Sequence, residues 1–410
     1  MIEPPLPEEG AEASAPEGPV ALLTGGFDRP YAYGLATALA ARGVALEVIG
    51  ADELDTPDLR SLPRLRFFNF YGDPRRRSQA GRWLQNLLVY LRILRYAAVA
   101  RPGIFHILWN NRLQVFDRTL LMLYYKALGR KIVLTAHNVN AGRRDAADSR
   151  LNRWSLKAQY RLMDAVFVHT EAMKADLVSN YGVRKEVVSV IPFGINNSVP
   201  VTDLSCAEAK RRLGIGPEER AILFFGSIRP YKGVEFLVHA FQQIAARDPR
   251  YRLMIAGEPK KEAPRYWKDI EESIARGPAS DRVIRHIDFI PDEDTELYFK
   301  AADVLVLPYT HVYQSGVLFL GYSFGLPVVA ADVGTLRDDV EEGRTGFVCR
   351  PRDADDLAAS LETYFASDLF RNLERRRAEI RAFSVQRNSW ETVAATTCAV
   401  YRTLEKQHVR

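Results

Sequence analysis

The stretch Ala221–Gly233 (AILFFGSIRPYKG) constrains this chain more than any other. Ile222–Phe225 is a short apolar run of the kind buried on both faces of a parallel sheet. Gly226-Ser227 ends it, Pro230 and Gly233 punctuate the turn, and apolar residues at helical spacing resume over Val234–Ala245. Strand, glycine turn and helix in that order direct backbone N–H groups and the positive end of a helix toward an anion. Arg229 and Lys232 stand inside the turn, a planar fork and a compact point charge that together suit a diphosphate. The plainer reading makes them solvated turn cations.

The same alternation runs through the rest of the chain. Pro19–Thr24 reads as a strand, Gly25-Gly26 as a turn, Tyr33–Arg42 as a helix and Val44–Ile49 as a second strand, a unit that builds parallel sheet. Two glycines at a strand end can admit a phosphate or sugar to the backbone. Phe27 and Asp28 follow them, so the dinucleotide glycine fingerprint, and a nicotinamide oxidoreductase with it, is not supported. Ile104–Trp109 is a strand and Thr119–Leu128 a helix. Lys131–Thr135 is a further strand, ending at Ala136-His137-Asn138. Ligands of open α/β sheets sit beyond the carboxyl ends of strands. A histidine placed there can donate to a sugar hydroxyl or share a proton near neutral pH; the alternative is a loop histidine satisfied by backbone. Asn140–Arg153 reads as a flexible, basic loop on the acceptor or gating side. Met163–Thr170 repeats the strand pattern with His169 in a structural role. After a strand at Val187–Pro192, Phe193–Pro200 reads as an interdomain linker.

The second half restarts the pattern. Arg252–Ala256 ends at Gly257-Glu258, Val283–Phe289 is followed by Ile290-Pro291, and Asp303–Pro308 precedes a helix over Val317–Ser323. Val328–Ala330 and Thr345–Val348 are strands, and Asp353 is placed to cap a helix over Ala354–Ala366. At 410 residues the chain exceeds one ordinary core, so two α/β units facing across a cleft are expected. The divisions are a disordered Pro/Glu/Ala-rich leader over 1–18, domains over 19–198 and 199–388, and a remaining segment over 389–410.

Three scattered cysteines give neither a disulfide framework nor metal-ligand spacing, and a cytoplasmic chain is expected. The leader has no basic start or apolar core, so it does not read as a signal peptide. Arg75–Arg101 is a basic, aromatic, amphipathic helix suited to an anionic membrane surface at the inner face of the cell membrane. The alternative is a core-facing helix with a charged edge. No single-strand platform accompanies the charges, so nucleic acid is not an expected partner.

GSIRPYKG, IAGEP, AADVLVLPY, QSGV and FGLPVVAADVG, in that order, resemble the C-terminal half of a retaining GT-B-fold glycosyltransferase of family four (group 1 type), and VLTAHNV resembles the N-terminal half. The resemblance implies two Rossmann-like parallel-sheet domains, a nucleotide-sugar donor held mainly by the second, and a glycan or lipid-linked acceptor on the first. It implies polysaccharide or glycolipid synthesis, no cofactor and no metal. The last helix, about Trp390–Lys406, would cross back to the first domain. Arg229 and Lys232 would clamp the donor diphosphate, with backbone N–H groups of Ser315, Gly316 and Val317 beside them, and His137 would touch the transferred sugar. Gly25, Gly26, Asn138, Gly226 and Glu258 would line the donor, and the backbone at Ile290 and Pro291 would meet the nucleobase. Many relatives carry two glutamates separated by seven residues. Here those positions are Val312 and Leu320, and Gln314 of the QSG sequence would supply a replacement amide. A non-catalytic scaffold and a nucleotide-sugar epimerase on the same fold are the competing readings.

Overall fold

Continuous apolar runs set the architecture. Val20–Leu23 (β1) is buried at every residue, as are Ile104–Ile107 (β4) and Ala165–Val168 (β6). That pattern belongs to strands covered on both faces. The computed structural model describes residues 15–26, 29–73, 79–145, 148–196, 199–260 and 264–407. Most of the 1–18 leader, Phe27, Asp28 and Arg75–Arg77 lie outside the described residues.

The N-terminal sheet also contains β2 (Leu46–Gly50), β3 (Leu65–Asn69), β5 (Lys131–Thr135) and β7 (Val188–Val190), in the order β3-β2-β1-β4-β5-β6-β7, all parallel. β8 (Arg220–Phe225), β9 (Tyr251–Ala256), β10 (Val283–His286), β11 (Val304–Leu307), β12 (Val328–Ala331) and β13 (Gly346–Cys349) form the C-terminal sheet, in the order β10-β9-β8-β11-β12-β13. It too is all parallel. The strand order reverses between β1 and β4 and again between β8 and β11. Those reversals open the crevices in which doubly wound sheets hold ligands.

The helices that position the site are α1 (Arg29–Ala41), α2 (Gln79–Val99), α3 (Ala141–Arg144), α4 (Arg150–Leu162), α5 (Val234–Arg247), α6 (Asp292–Ala301), α7 (Gly316–Ser323), α8 (Ala354–Ala366) and α9 (Trp390–Lys406). α9 returns to the first domain. Its Cys398, Tyr401 and Leu404 are buried with Leu35 and Leu39 of α1, and Tyr401 Oη lies 2.6 Å from His106 Nδ1. Trp390 wedges where Gly34 and Gly194 leave room, since a Cβ at either would stand 2.2 or 2.3 Å from its ring.

Two readings of the sequence are corrected. β3 has no counterpart among the expected strands: it is a half-buried edge strand, LRFFN, without a continuous apolar run. Asn140–Arg153 is not an open loop over its described residues. Asn140 accepts from the Arg143 N–H to cap α3, and Ser149 accepts from the Asn152 N–H to cap α4.

Candidate functional site

Two strand ends meet at the crevice of the C-terminal sheet. Gly226 leaves β8 with φ +99°, and Gly257 leaves β9 with φ +150°. A Cβ on Gly257 would lie 2.1 Å from the Gly226 carbonyl oxygen, so the two backbones touch with no side chain between them. The following loop is pinned at both ends. Ile228 donates its N–H to the Glu258 carbonyl at 2.9 Å, and Gly233 turns with φ +65° where a Cβ would meet the Pro308 carbonyl at 2.0 Å.

This geometry folds Lys232 inward, to 6% exposure. Its Nζ lies 5.8 Å from the ring centre of Phe224 and 5.5 Å from that of Tyr309. Among the described residues no carboxylate pairs with it. Burial first, then repulsion from Arg229, Arg144 and Lys260, pushes its ammonium down to about 7. A buried cation with no counterion is costly, and an anion that neutralises it is bound strongly. Arg229, expected beside it, pairs with Asp145 of the other domain at 3.1 Å. Arg144 also grips Asp145, at 2.8 and 2.9 Å, and lies 4.6 Å over the Tyr231 ring. Burial opposes ionisation of Asp145, but the two arginines outweigh it and hold the carboxyl below its ordinary value.

α7 begins beside Lys232: a Cβ on Gly226 would stand 3.1 Å from Lys232 Nζ and 3.6 Å from Val317 Cγ2. Ser315 does not cap α7 with its own side chain; its Oγ is 3.4 Å from Tyr309 Oη. The first N–H groups of α7 are therefore free of side-chain capping. Gln314 hydrogen-bonds Asp339, whose carboxyl burial raises to about 6, while Gln314 Oε1 is buried without a partner among the described residues. Val312 and Leu320 are buried apolar residues. Ile290 is buried, and Pro291 precedes α6, whose Asp292 pairs with Arg29 across the domains at 2.9 Å.

The N-terminal crevice faces this one. Gly25 (φ +64°) and Gly26 (φ +75°) turn tightly at the end of β1, where Cβ atoms would strike Trp109 and Tyr71. His137 follows β5 and stacks on Trp109 at 4.1 Å, with the Tyr31 ring edge-on at 4.4 Å. Burial, then His169 and His106, lower its pKa, and burial lowers that of His169 to about 4, so both rings are neutral. His169 Nδ1 faces the Ile191 carbonyl at 3.4 Å and its Nε2 faces His137 Nδ1 at 3.1 Å. A carbonyl only accepts, so the proton of His169 sits on Nδ1 and its Nε2 accepts from His137 Nδ1–H. His137 Nε2 is then a lone-pair acceptor, and among the described residues it is buried without a partner. His137 is thus set to accept a hydroxyl proton, not to donate one, and His169, read from sequence as structural, fixes that tautomer. Asn138 turns its Oδ1 to the Asn140 N–H at 3.1 Å.

Phe193 of the linker joins the halves: its ring is 6.3 Å from His137 and stacks on Phe319 of α7 at 5.5 Å. A 220 Å³ cavity there is lined by Tyr31, Phe193, Val317, Leu320 and Trp390 among others. Asp145, Tyr231, Tyr309 and Trp109 were missed from sequence. Their shared signal is a position just past a strand end or beside a basic turn. Among the described residues no cluster of three or more His, Cys, Asp or Glu side chains is arranged to hold a metal ion, and no helix is long and apolar enough to cross a membrane.

Two facing Rossmann-like domains with ligand crevices turned toward each other define the GT-B fold. Residues 30–199 match the model of Glycosyltransferase Family 4, and residues 219–367 match that of Glycosyl transferases group 1. Each half of this chain thus matches a glycosyltransferase domain model, the N-terminal half that of Family 4 and the C-terminal half that of group 1. D-inositol 3-phosphate glycosyltransferase of Corynebacterium efficiens is 29% identical over 245 residues, 56% of this chain and 57% of that protein. The same enzyme of Geodermatophilus obscurus is 33% identical over 248 residues, covering 58% and 53%. The matched stretch thus spans little more than half the length of these relatives. Sucrose-phosphate synthase of Thermosynechococcus elongatus superposes with a TM-score of 0.75 at 22% identity, covering 95% of this chain and 100% of that one. HepE of Anabaena, solved with UDP-glucose, gives 0.68 at 17% identity, covering 94% and 99%.

Proposed function

We propose that this chain is a retaining glycosyltransferase that moves a sugar from a nucleotide-diphosphate donor to an acceptor held by the N-terminal domain. The observation that carries the reading is Lys232, a buried ammonium with no carboxylate partner among the described residues, beside the open N-terminus of α7. As the bond between anomeric carbon and phosphate oxygen breaks, negative charge collects on the departing diphosphate. Lys232 and the α7 N–H groups stabilise it where it develops, and Arg229 joins them on exchanging Asp145 for phosphate. The acceptor hydroxyl attacks from the face the leaving group departs, and its proton passes to the freed phosphate oxygen. No carboxylate nucleophile is invoked, because Val312 and Leu320, the positions that the family resemblance matches to the paired glutamates, are apolar. His137 Nε2 takes a hydrogen bond from a hydroxyl of the transferred sugar. The cations stand where other transferases use a metal, so a chelator leaves turnover intact.

The acceptor we favour is a glycan or lipid-linked intermediate at the inner membrane face. α2 supports this. It exposes Leu84, Leu87, Leu88 and Leu91 on one stripe, with Arg92 and Arg95 also exposed; the side chains of Arg82 and Trp83 lie outside the described residues. The buried apolar pair Val312 and Leu320 favours one second reading, a scaffold that binds nucleotide without turnover.

A thermal-shift panel of UDP, GDP and ADP on the wild type and Lys232→Ala tests the proposal. A ligand at ~100 times its dissociation constant adds about 2.7 kcal/mol to stability. A rise with one nucleotide that is lost in the variant is expected; no rise with any of the three would defeat the donor reading.

A further inference from the structure

We propose that the cavity on the outer side of the Arg229–Lys232 loop is a second anion site, which takes a phosphate or diphosphate group carried by a ligand other than the donor. The cavity encloses 680 Å³ and spans both domains, with Arg143 and Arg144 from α3, Tyr231 from the loop, His311 from the exit of β11 and Arg352 from the exit of β13. Three guanidinium groups therefore line one space; among the described residues only Arg144 makes a direct ion pair, while Arg143 lies close enough to Asp148 to favour its ionised form.

Arg144 is the committed one, held by Asp145 and stacked on Tyr231. Arg143 contributes its backbone N–H to the Asn140 cap, and its side chain has no ion pair among the described residues. Arg352 has none either, and its chain neighbours explain why. Asp353 caps α8 through the Asp356 N–H, and Asp353 and Asp356 both pair with Arg350 at 3.1 Å. Glu235, the acid on the described lining, is hydrogen-bonded by the Tyr266 hydroxyl. Arg352 also sits at φ +60°, a left-handed setting that is unfavourable for a non-glycine residue. Uncommitted guanidinium forks from opposite domains fit phosphate oxygens in charge and in shape, and a neutral sugar offers nothing to meet them.

This cavity is not the donor diphosphate site. Tyr231 lines the cavity, its ring meets that of Tyr309 at 6.1 Å, and Tyr309 in turn covers Lys232 Nζ. Two aromatic rings thus lie between the sites. An anion held by Arg143 and Arg352 ties the domains together beside the donor. The inference rests on the transferase reading only in assigning that anion to the acceptor.

Isothermal titration of inorganic pyrophosphate into the full chain tests it, using wild type, Lys232→Met and the double variant Arg143→Gln/Arg352→Gln. Two classes of site are expected in the wild type. Lys232→Met removes one, and the arginine pair weakens the other by about tenfold or more, the worth of lost charge-assisted hydrogen bonds, while leaving UDP binding intact. A single class lost in Lys232→Met and untouched by the arginine pair overturns this site and leaves the donor reading standing. A single class sensitive only to the arginine pair leaves this site standing and removes the donor reading. Flotation with phosphatidylcholine vesicles, with and without phosphatidic acid, then separates the sources of phosphate. Phosphatidic-acid-dependent flotation lost in the arginine pair means a lipid headgroup, and pyrophosphate binding lost with flotation unchanged means a soluble phosphate ester.

Discussion

Replacing Lys232 by methionine keeps the reach of the side chain and deletes its charge, and the consequence depends on pH in a defined direction. Unfolded, Lys232 titrates near its ordinary 10.5; folded, burial and its cationic neighbours bring it to about 7. Between those values the unfolded chain holds a proton that the folded one has lost, so this residue makes stability rise with pH across the window. Below pH 7 both states are charged and the whole penalty is present. At 1.36 kcal/mol per pH unit the penalty reaches about 5 kcal/mol. Lys232→Met therefore stabilises the ligand-free protein most below pH 7, and the gain shrinks toward pH 10.5. For a domain of this size each kcal/mol moves the midpoint by roughly 2–4 °C. A rise on the order of 10 °C at low pH is expected, falling away as the solution is made alkaline. The same variant loses the nucleotide-induced shift of the wild type, so a more stable protein binds worse. Melting curves at pH 6 and pH 9.5, with and without UDP, decide the matter. A variant that melts below the wild type at pH 6, or a difference that does not change with pH, would refute the picture of an ammonium buried in wait for an anion.

Two further outcomes follow from the geometry. His169→Phe removes the acceptor that holds the proton of His137 on Nδ1; nitrogen chemical shifts of the His137 ring are expected to move to the Nε2–H tautomer, and turnover to fall about tenfold, the worth of one hydrogen bond. An unchanged tautomer would show that His169 does not position His137. Leu87→Glu/Leu91→Glu sits on exposed positions of α2, so melting is expected to hold while flotation with anionic vesicles is lost. Retained flotation would remove α2 from the membrane contact.

Local pattern reached the fold wherever the deciding interaction was local. Ala354–Ala366 is a helix with the bounds its sequence implies, because Asp353 caps it through the Asp356 N–H. β3 escaped because an edge strand with one buried residue in LRFFN carries no run to see. Trp109 reads as strand, yet β4 stops at Ile107 and leaves the indole free to stack on His137.

The candidate site divides along the same line. The turn that holds Lys232 was legible in its glycines and proline, since backbone conformation is set by the residues that adopt it. The charge state of Lys232 was not. A lysine in a Gly/Pro turn is ordinarily solvated, and what buries this one is Tyr309 on a distant strand exit and the bare Gly226 backbone. Arg229 makes the point in reverse. It sits beside Lys232 in the sequence and is equally cationic, but it finds Asp145 across the cleft, 84 residues away, and so loses the urgency for an anion that Lys232 retains. Two neighbouring cations with one expected role are thereby given different ones. Lys232 is the standing attractor, and Arg229 is recruited only when a diphosphate competes successfully with a carboxylate already in place.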